Sequence, residues 1–191
     1  MTLKLITPAT TLPVSLAEAK AHLRVDAADD DTLISAMLGA ATQMAEQATG
    51  RALMPQTWLL SLDGFADVLE LTRVPVASVT SVVYDDASGT PQTLANSNYT
   101  LSNADDFGIA RLTCAYSKSW PATRAQVNAV RVTYVAGYAD AASVPESIKS
   151  WIKLAIGSMF ENRQSEVIER GAVLSLGFAD RLLDRYKVWA L

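Results

Sequence analysis

The side chains that most often carry out enzyme chemistry are scarce in this sequence. It contains one histidine, His22, and one cysteine, Cys114. A Ser-His-Asp or Cys-His catalytic unit would have to use His22, which lies among alanines in a predicted helix with no strained nucleophile turn nearby. Cys114 lies in a predicted strand, where a lone cysteine is most often a small buried hydrophobe. A zinc site needs about four Cys or His ligands, so these two residues cannot supply one.

The acidic run Asp29, Asp30 and Asp31 is the candidate for cation binding. An EF-hand loop that started at Asp26 would need glycine at its sixth position and glutamate at its twelfth. The sequence places Asp31 and Met37 there instead. Glycine-rich phosphate-binding motifs are also missing. We therefore expect no metal and no cofactor, and interpret the run as a helix start, where aspartates cap the backbone and favour the helix dipole. A small α+β enzyme that uses carboxylates on a small substrate remains an open alternative.

The composition describes a globular chain with a weakly acidic surface. Its 191 residues, half of them hydrophobic, correspond to one domain, or to one domain with a sizeable insertion. Sixteen Lys/Arg against twenty Asp/Glu give a net charge of −4, whereas proteins that grip DNA phosphates normally carry a basic face. Residues 1–95 carry −6 and residues 96–191 carry +2, which suits head-to-tail association. A DNA-binding module is the second alternative. It would require five basic side chains on one face: Arg124, Arg131, Lys149, Lys153 and Arg163.

Hydropathy indicates no membrane partner. The first ten residues lack the apolar block of a secretory signal, and no uncharged apolar run approaches the roughly 18 residues of a membrane span. The lone cysteine cannot form an internal disulfide. We therefore expect the protein in a reducing, aqueous compartment.

The spacing of hydrophobic residues predicts an α+β fold, with a helical base interrupted by a central antiparallel β insertion. A capping box of Ser15 and Glu18 predicts a first helix, and an apolar stripe behind the acidic run predicts a longer one that ends near Gly50. These elements form an N-terminal helical part, residues 1–50. Short alternating segments separated by turn residues predict a β-rich insertion over residues 51–140.

Helix returns in the last quarter of the chain. A second capping box, Ser143 with Glu146, predicts a long helix that completes the helical base over residues 141–163. Residues 164–191 are predicted to form a C-terminal arm and a short helix. A chain end frays unless something holds it, so this segment packs on its own core or contacts another subunit. The apolar side of the short helix is formed by Phe178, Leu182, Tyr186 and Trp189.

Several motifs together resemble one protein family. The run from Ser15 to Asp26 (SLAEAKAHLRVD), followed by the acidic stretch and Leu33-Ile34, resembles the opening of head–tail connector (adaptor) proteins of tailed double-stranded DNA bacteriophages and prophages. The residues after the second helix (GRAL, 50–53), the strand 130–138 (VRVTYVAGY) and the helix 144–163 are similar to that family as well. None of these motifs is a catalytic signature, so the resemblance implies a structural protein and not an enzyme.

The resemblance implies a subunit that forms a ring, usually of twelve copies, under the portal at the virion neck. Such a ring extends the DNA channel, lets DNA pass without specific binding during packaging and ejection, and docks the next connector, stopper or tail protein. Its place is the head–tail junction, after assembly in the host cytoplasm.

The resemblance also suggests roles for two groups of residues. An acidic channel wall would avoid anchoring DNA phosphates, so we expect part of the acidic N-terminal half on or near the channel, namely Asp29, Asp30 and Asp31. In related connectors the C-terminal segment reaches toward the portal. This would assign a portal or neighbour contact to Phe178, Leu182, Tyr186 and Trp189.

Overall fold

The computed structural model describes residues 1–103, 108–161 and 177–188. The chain divides into two compact units. One, here the β unit, consists of residues 1–10, 50–139 and the segment from residue 188. The other, the helical unit, consists of residues 11–49 and 140–187. Helices from both ends of the chain thus share one unit and the strands share the other, so the predicted α+β fold is confirmed.

In its described residues the helical unit contains four α-helices: α1 Leu16–Leu23, α2 Asp31–Thr49, α3 Glu146–Glu161 and α4 Gly177–Asp184. The predicted capping box starts α1, because the Ser15 side chain accepts from the backbone of Glu18 and the Glu18 carboxylate accepts from the backbone of Ser15. Helices α2 and α3 pack on each other through the apolar faces that the spacing predicted: Ile34, Leu38, Ala41 and Ala45 with Ile148, Ile152 and Ile156. None of the helices in the described ranges is long and apolar enough to cross a membrane.

The start of α3 differs from the prediction. Asp140 caps a short 3₁₀ turn, Ala141–Ser143, and its Oδ1 accepts from both the backbone N and the Oγ of Ser143, each at 2.8 Å. Val144 is extended, as a residue before proline prefers to be, so the helix begins only at Glu146. The predicted Ser143–Glu146 capping box is therefore wrong.

The part of the β unit that the structure describes contains eight strands in two antiparallel sheets. The larger sheet has the order β1-β2-β8-β4-β5 and the smaller one β3-β7-β6. The strand bounds are β1 Thr2–Thr7, β2 Gln56–Leu62, β3 Val68–Leu71, β4 Val76–Asp85, β5 Pro91–Leu94, β6 Tyr99–Ser102, β7 Ala110–Cys114 and β8 Val130–Ala136.

The two sheets share one hydrophobic core. Strand β8 lies in the middle of the larger sheet, and its burial alternates strictly along its length. The core is completed from both sheets by Leu60, Leu69, Leu71, Val82, Leu112, Val132 and Tyr134. Burial raises the pKa of the Tyr134 hydroxyl to about 12. Strands β2 to β8 all lie within residues 51–140, the range in which short alternating segments predict a β-rich insertion.

Strand β1 is absent from the sequence-based prediction, which assigned residues 1–50 to the helical part. It pairs with β2 at the edge of the larger sheet, with a bulge between Leu5 and Thr7. Leu5 and Ile6 are adjacent and both largely exposed, so the segment lacks the strict alternation that marks a half-buried strand.

Candidate interaction surfaces

The residues that could do chemistry belong to different units, His22 to the helical unit and Cys114 to the β unit. His22 is exposed on α1, and its Nε2 atom lies 3.7 Å from the position of a Cβ added to Gly157 of α3. Cys114 is half-buried at the end of β7, with its Sγ 3.5 Å from the carbonyl oxygen of Asn98. Within the described residues, no three His, Cys, Asp or Glu side chains are placed to hold a metal ion. The other candidate sites are surfaces.

The acidic run lies at the start of α2 in the helical unit. The carbonyl oxygen of Asp30 accepts the first helical hydrogen bond, from the backbone N of Ile34 at 2.9 Å. Asp31 is the first residue of the helix, and its Oδ1 accepts from the Lys20 Nζ at 2.5 Å. Asp29 is exposed, whereas Asp30 and Asp31 are half-buried. The run is thus kept together at one helix end, but Lys20 compensates the charge of Asp31.

The C-terminal segment is held within the protein by residues next to those singled out from the sequence. Leu183 of α4 is buried, while Leu182 and Tyr186 are half-buried. The helix ends at Asp184 in a tighter turn, where the backbone N of Tyr186 bonds the carbonyl of Leu183, so the predicted one-sided stripe does not continue through Tyr186. The Phe178 side chain and all of Trp189 lie outside what the structure describes.

A third surface is formed by residues 115–129, which connect β7 to β8 and are called the pinned loop below. Asp85, at the end of β4, is buried and accepts three hydrogen bonds through its carboxylate. Arg131 donates two of them, at 2.6 and 3.0 Å, and the Gln126 side chain donates the third at 2.7 Å. The backbone of Asp85 adds two more bonds to the loop, donating to Ala129 at 2.8 Å and accepting from Arg124 at 3.1 Å.

Electrostatics strengthen this attachment. The Arg131 guanidinium, which bonds the Asp85 carboxylate, holds the pKa of that carboxyl below its ordinary value, and the pKa of Arg131 is raised in turn. In the adjacent turn, hydrogen bonds from Ser88, Thr90 and Gln92 lower the pKa of Asp86 to about 2. Both carboxylates are therefore ionised over the physiological range, so the bonds of Asp85 to Arg131 and to Gln126 of the loop persist there.

Aromatic packing fixes the middle of the pinned loop. The Trp120 ring stacks on Phe65 with a centroid distance of 4.7 Å and an interplanar angle of 3°. Phe65 in turn meets Tyr84 of β4 edge-to-face at 5.7 Å. The loop is therefore anchored both by charge and by a stack that extends from the core of the β unit.

Two large apolar side chains nevertheless project from the pinned loop. Tyr116 is 98% exposed and Val127 is 76% exposed. Both lie beside residues with left-handed backbone, Ser117 (φ 61°) and Asn128 (φ 59°), which place them at tight turns. This surface was not predicted from the sequence. The signal in the sequence is that residues 115–129, between two clear strands, show no periodicity and contain no acidic residue.

The N-terminal part of the chain is similar to a known protein family. Residues 13–99 match the model of the family described as phage gp6-like head-tail connector protein. The chain is thus similar to head–tail connector proteins, and the resemblance indicated by its motifs is confirmed over this range. The similar stretches at residues 130–138 and 144–163 lie outside the matched range. No curated protein matches the chain by sequence.

Solved structures with the same fold come from gene transfer agent (GTA) particles. A chain of "Neck of empty GTA particle computed with C6 symmetry" has a TM-score of 0.78 and 24% identity, covering 100% of this chain and 97% of its own. A chain of "Virion of native gene transfer agent (GTA) particle" has a TM-score of 0.77 and 23% identity with the same coverage. A chain of "Neck of native GTA particle computed with C12 symmetry" has a TM-score of 0.73 and 24% identity, again with that coverage. At this identity the likeness establishes a shared fold over the whole chain.

Proposed function

We propose that this protein is a structural head–tail connector (adaptor) subunit in the neck of a tailed phage or a phage-like particle. The observation that carries the proposal is the family match at residues 13–99 on a chain whose whole fold recurs in neck-containing particles. The family description names a structural role and no reaction, which fits the presence of His22 and Cys114 in different units. The working sites of such a subunit are its contacts with other proteins.

The subunit acts as one of several identical copies in a ring at the virion neck. A ring repeats one heterologous contact, in which a surface of each copy meets a different surface of the next. A neck structure with the same fold was computed with C12 symmetry, which supports twelve copies here. The ring would lie under the portal, assemble in the host cytoplasm, and dock the next connector, stopper or tail protein.

The acidic start of α2 is proposed to lie on or near the DNA channel. Support comes from the exposure of Asp29 and from the grouping of Asp29, Asp30 and Asp31 at one helix end. Negative side chains release no counterions from DNA, so the duplex slides past them without being anchored. Changing all three to Lys is expected to slow DNA packaging or ejection, measured as DNA per particle and as ejection rate. Because Asp31 pairs with Lys20, the single variant Asp29→Lys separates a channel effect from a loss of that ion pair. Normal packaging and ejection in both variants would contradict this placement.

The C-terminal segment is proposed to contact the portal or a neighbouring copy. Deleting residues 178–191 would also remove the buried Leu183, so a milder change tests the contact better. The double variant Leu182→Ala, Tyr186→Ala truncates the two half-buried side chains and keeps Leu183. We expect weaker binding to the portal, with the exposed Arg181→Ala as the matched control. Equal portal binding by both variants would contradict the assignment.

The proposed function as a whole is tested in the particle. Deleting the gene that encodes this chain from its phage or prophage is expected to yield heads without attached tails, seen by electron microscopy. Complementation with the intact chain is expected to restore tailed particles. Tailed, DNA-filled particles in the deletion strain would overturn the proposal.

A further inference from the structure

We propose that the pinned loop, residues 115–129, is the element with which one subunit binds the next copy of this chain in the ring. This inference rests on the proposed ring-forming function and adds to it the contacting surface and its partner. Three features of the loop carry it: a fixed main chain, exposed apolar side chains, and a charge opposite to that of the rest of the chain.

The main chain of the loop is held in one shape. A connection of this length without regular structure is usually either functional or disordered. Here Asn128 is fixed from both sides, since its backbone N donates to the Asp63 carboxylate at 2.9 Å and its carbonyl accepts from Arg131 at 3.0 Å. Asp85 holds Gln126 and the backbone of Arg124 in the same way. A loop that is already ordered loses little conformational entropy on binding, which favours a docking role.

The side chains that this framework displays are suited to a protein partner. Tyr116 is almost fully exposed and Val127 is about three-quarters exposed, although nearby aromatic rings such as Trp120 pack inward. Burying such side chains at an interface removes apolar surface from water, so a partner that covers both would gain hydrophobic stabilisation. Tyrosine and arginine, here Tyr116 and Arg124, are also the residue types most enriched in protein–protein contacts.

The charge of the loop selects a second copy of this chain. The loop holds Lys118 and Arg124 and no acidic residue, while the remainder of the chain holds fourteen Lys/Arg and twenty Asp/Glu. A neighbouring copy therefore presents a predominantly acidic body to a basic, partly apolar loop. DNA is also acidic, but two cations per subunit neutralise few phosphates, and Val127 has no use against a phosphate backbone. A loop that binds a different surface of an identical chain makes the heterologous contact that closes into a ring.

A photo-crosslinker tests the contact in the assembled ring. The variant Val127→p-benzoylphenylalanine is bound to the portal and irradiated, with Val68→p-benzoylphenylalanine as the control, since Val68 is another exposed valine of the β unit. We expect covalent dimers of this chain from position 127, at least tenfold above those from position 68, with the partner peptide rich in Asp or Glu. Crosslinks from position 127 to the portal, or yields equal to the control, would overturn the inference.

A charge reversal provides an independent test. The double variant Val127→Asp, Lys118→Glu places negative charge against an acidic neighbour, and we expect at least a tenfold loss of ring occupancy on the portal. The single variant Val68→Asp controls for an added surface charge, and circular dichroism checks that both proteins fold. A full ring from the double variant would refute the inference while leaving the connector function intact. A wild-type chain that forms no ring would overturn both, and a loss of duplex DNA binding with an intact ring would assign the loop to DNA instead.

Discussion

Substitution of Gly137 by alanine is expected to destabilise the β unit strongly. Gly137 follows β8 with φ at +126°, and its backbone N donates to the carbonyl of Pro75 at 2.8 Å. A Cβ at this position would lie 2.2 Å from the carbonyl oxygen of Met54 and 2.8 Å from the backbone N of Pro55. Because both are main-chain atoms, they cannot rotate away. Backbone strain of about 1–3 kcal/mol and overpacking of about 1–3 kcal/mol together give about 2–6 kcal/mol.

This loss is large compared with the free energy of unfolding of a whole domain, which is about 5–15 kcal/mol. At about 2–4 °C per kcal/mol, the melting temperature of Gly137→Ala should fall by roughly 10 °C. Thermal unfolding followed by tryptophan fluorescence measures it. The matched control is Gly39→Ala inside α2, where an added Cβ meets nothing within 4 Å and should stabilise the helix by about 0.5–1 kcal/mol. A melting temperature for Gly137→Ala equal to or above that of the wild type would show that the main chain at Met54 and Pro55 accommodates a Cβ at position 137 without cost.

Three further changes probe other parts of the structure. Asp85→Asn removes the carboxylate that holds Arg131. The pKa of the Asp85 carboxyl is lower in the folded than in the unfolded protein. The stabilisation by this carboxylate is therefore present near neutral pH and is lost below about pH 4. The difference in melting temperature from the wild type should therefore be largest near pH 7 and shrink toward about pH 3. Ser15→Ala removes the N-cap of α1 and should lower the free energy of unfolding by about 1 kcal/mol in denaturant titration. Leu183→Ala should cost about 2–5 kcal/mol, and hydrogen exchange should show α4 losing protection.

Each of these changes has an outcome that would contradict its basis. The exposed Asp67→Asn controls for the lost charge of Asp85, and an equal pH dependence in both variants would rule out a special role for the Arg131 pair. An unchanged unfolding midpoint for Ser15→Ala would mean that the capping bonds contribute nothing net. Undiminished protection of α4 in Leu183→Ala would show that other contacts hold the helix.

Hydrophobic spacing predicts the helices and strands that bury one face and are long enough to show a helical or a strand period. Helices α2 and α3 and strand β8 show their periods over several turns or a full strand, and all three are present. Strands β3 and β5 have four residues each, and β5 begins with a proline, so local pattern does not reveal them. Strand β3 is specified by its pairing with β7, which lies far along the chain, and β5 by its hairpin with the neighbouring strand β4, so both depend on a partner strand more than on their own short pattern.

The interaction surfaces also differ in how far the sequence alone predicts them. The Asp29–Asp31 run is visible in sequence because its members are adjacent, but its ion pair with Lys20 is not. The pinned loop depends on Asp85 bonding Gln126 and Arg131, which lie 41 and 46 residues further along the chain. Its shape, and therefore the exposure of Tyr116 and Val127, arises only once the strands have brought these residues together.

The central claim, that this chain is a ring-forming connector, is tested most directly by electron microscopy of the purified protein mixed with its own portal. We predict a second ring stacked coaxially on the portal, with a continuous central channel and, in symmetry-free averages, twelve copies of the chain. A portal that remains unoccupied when this protein is present in excess would contradict the role of a ring-forming connector.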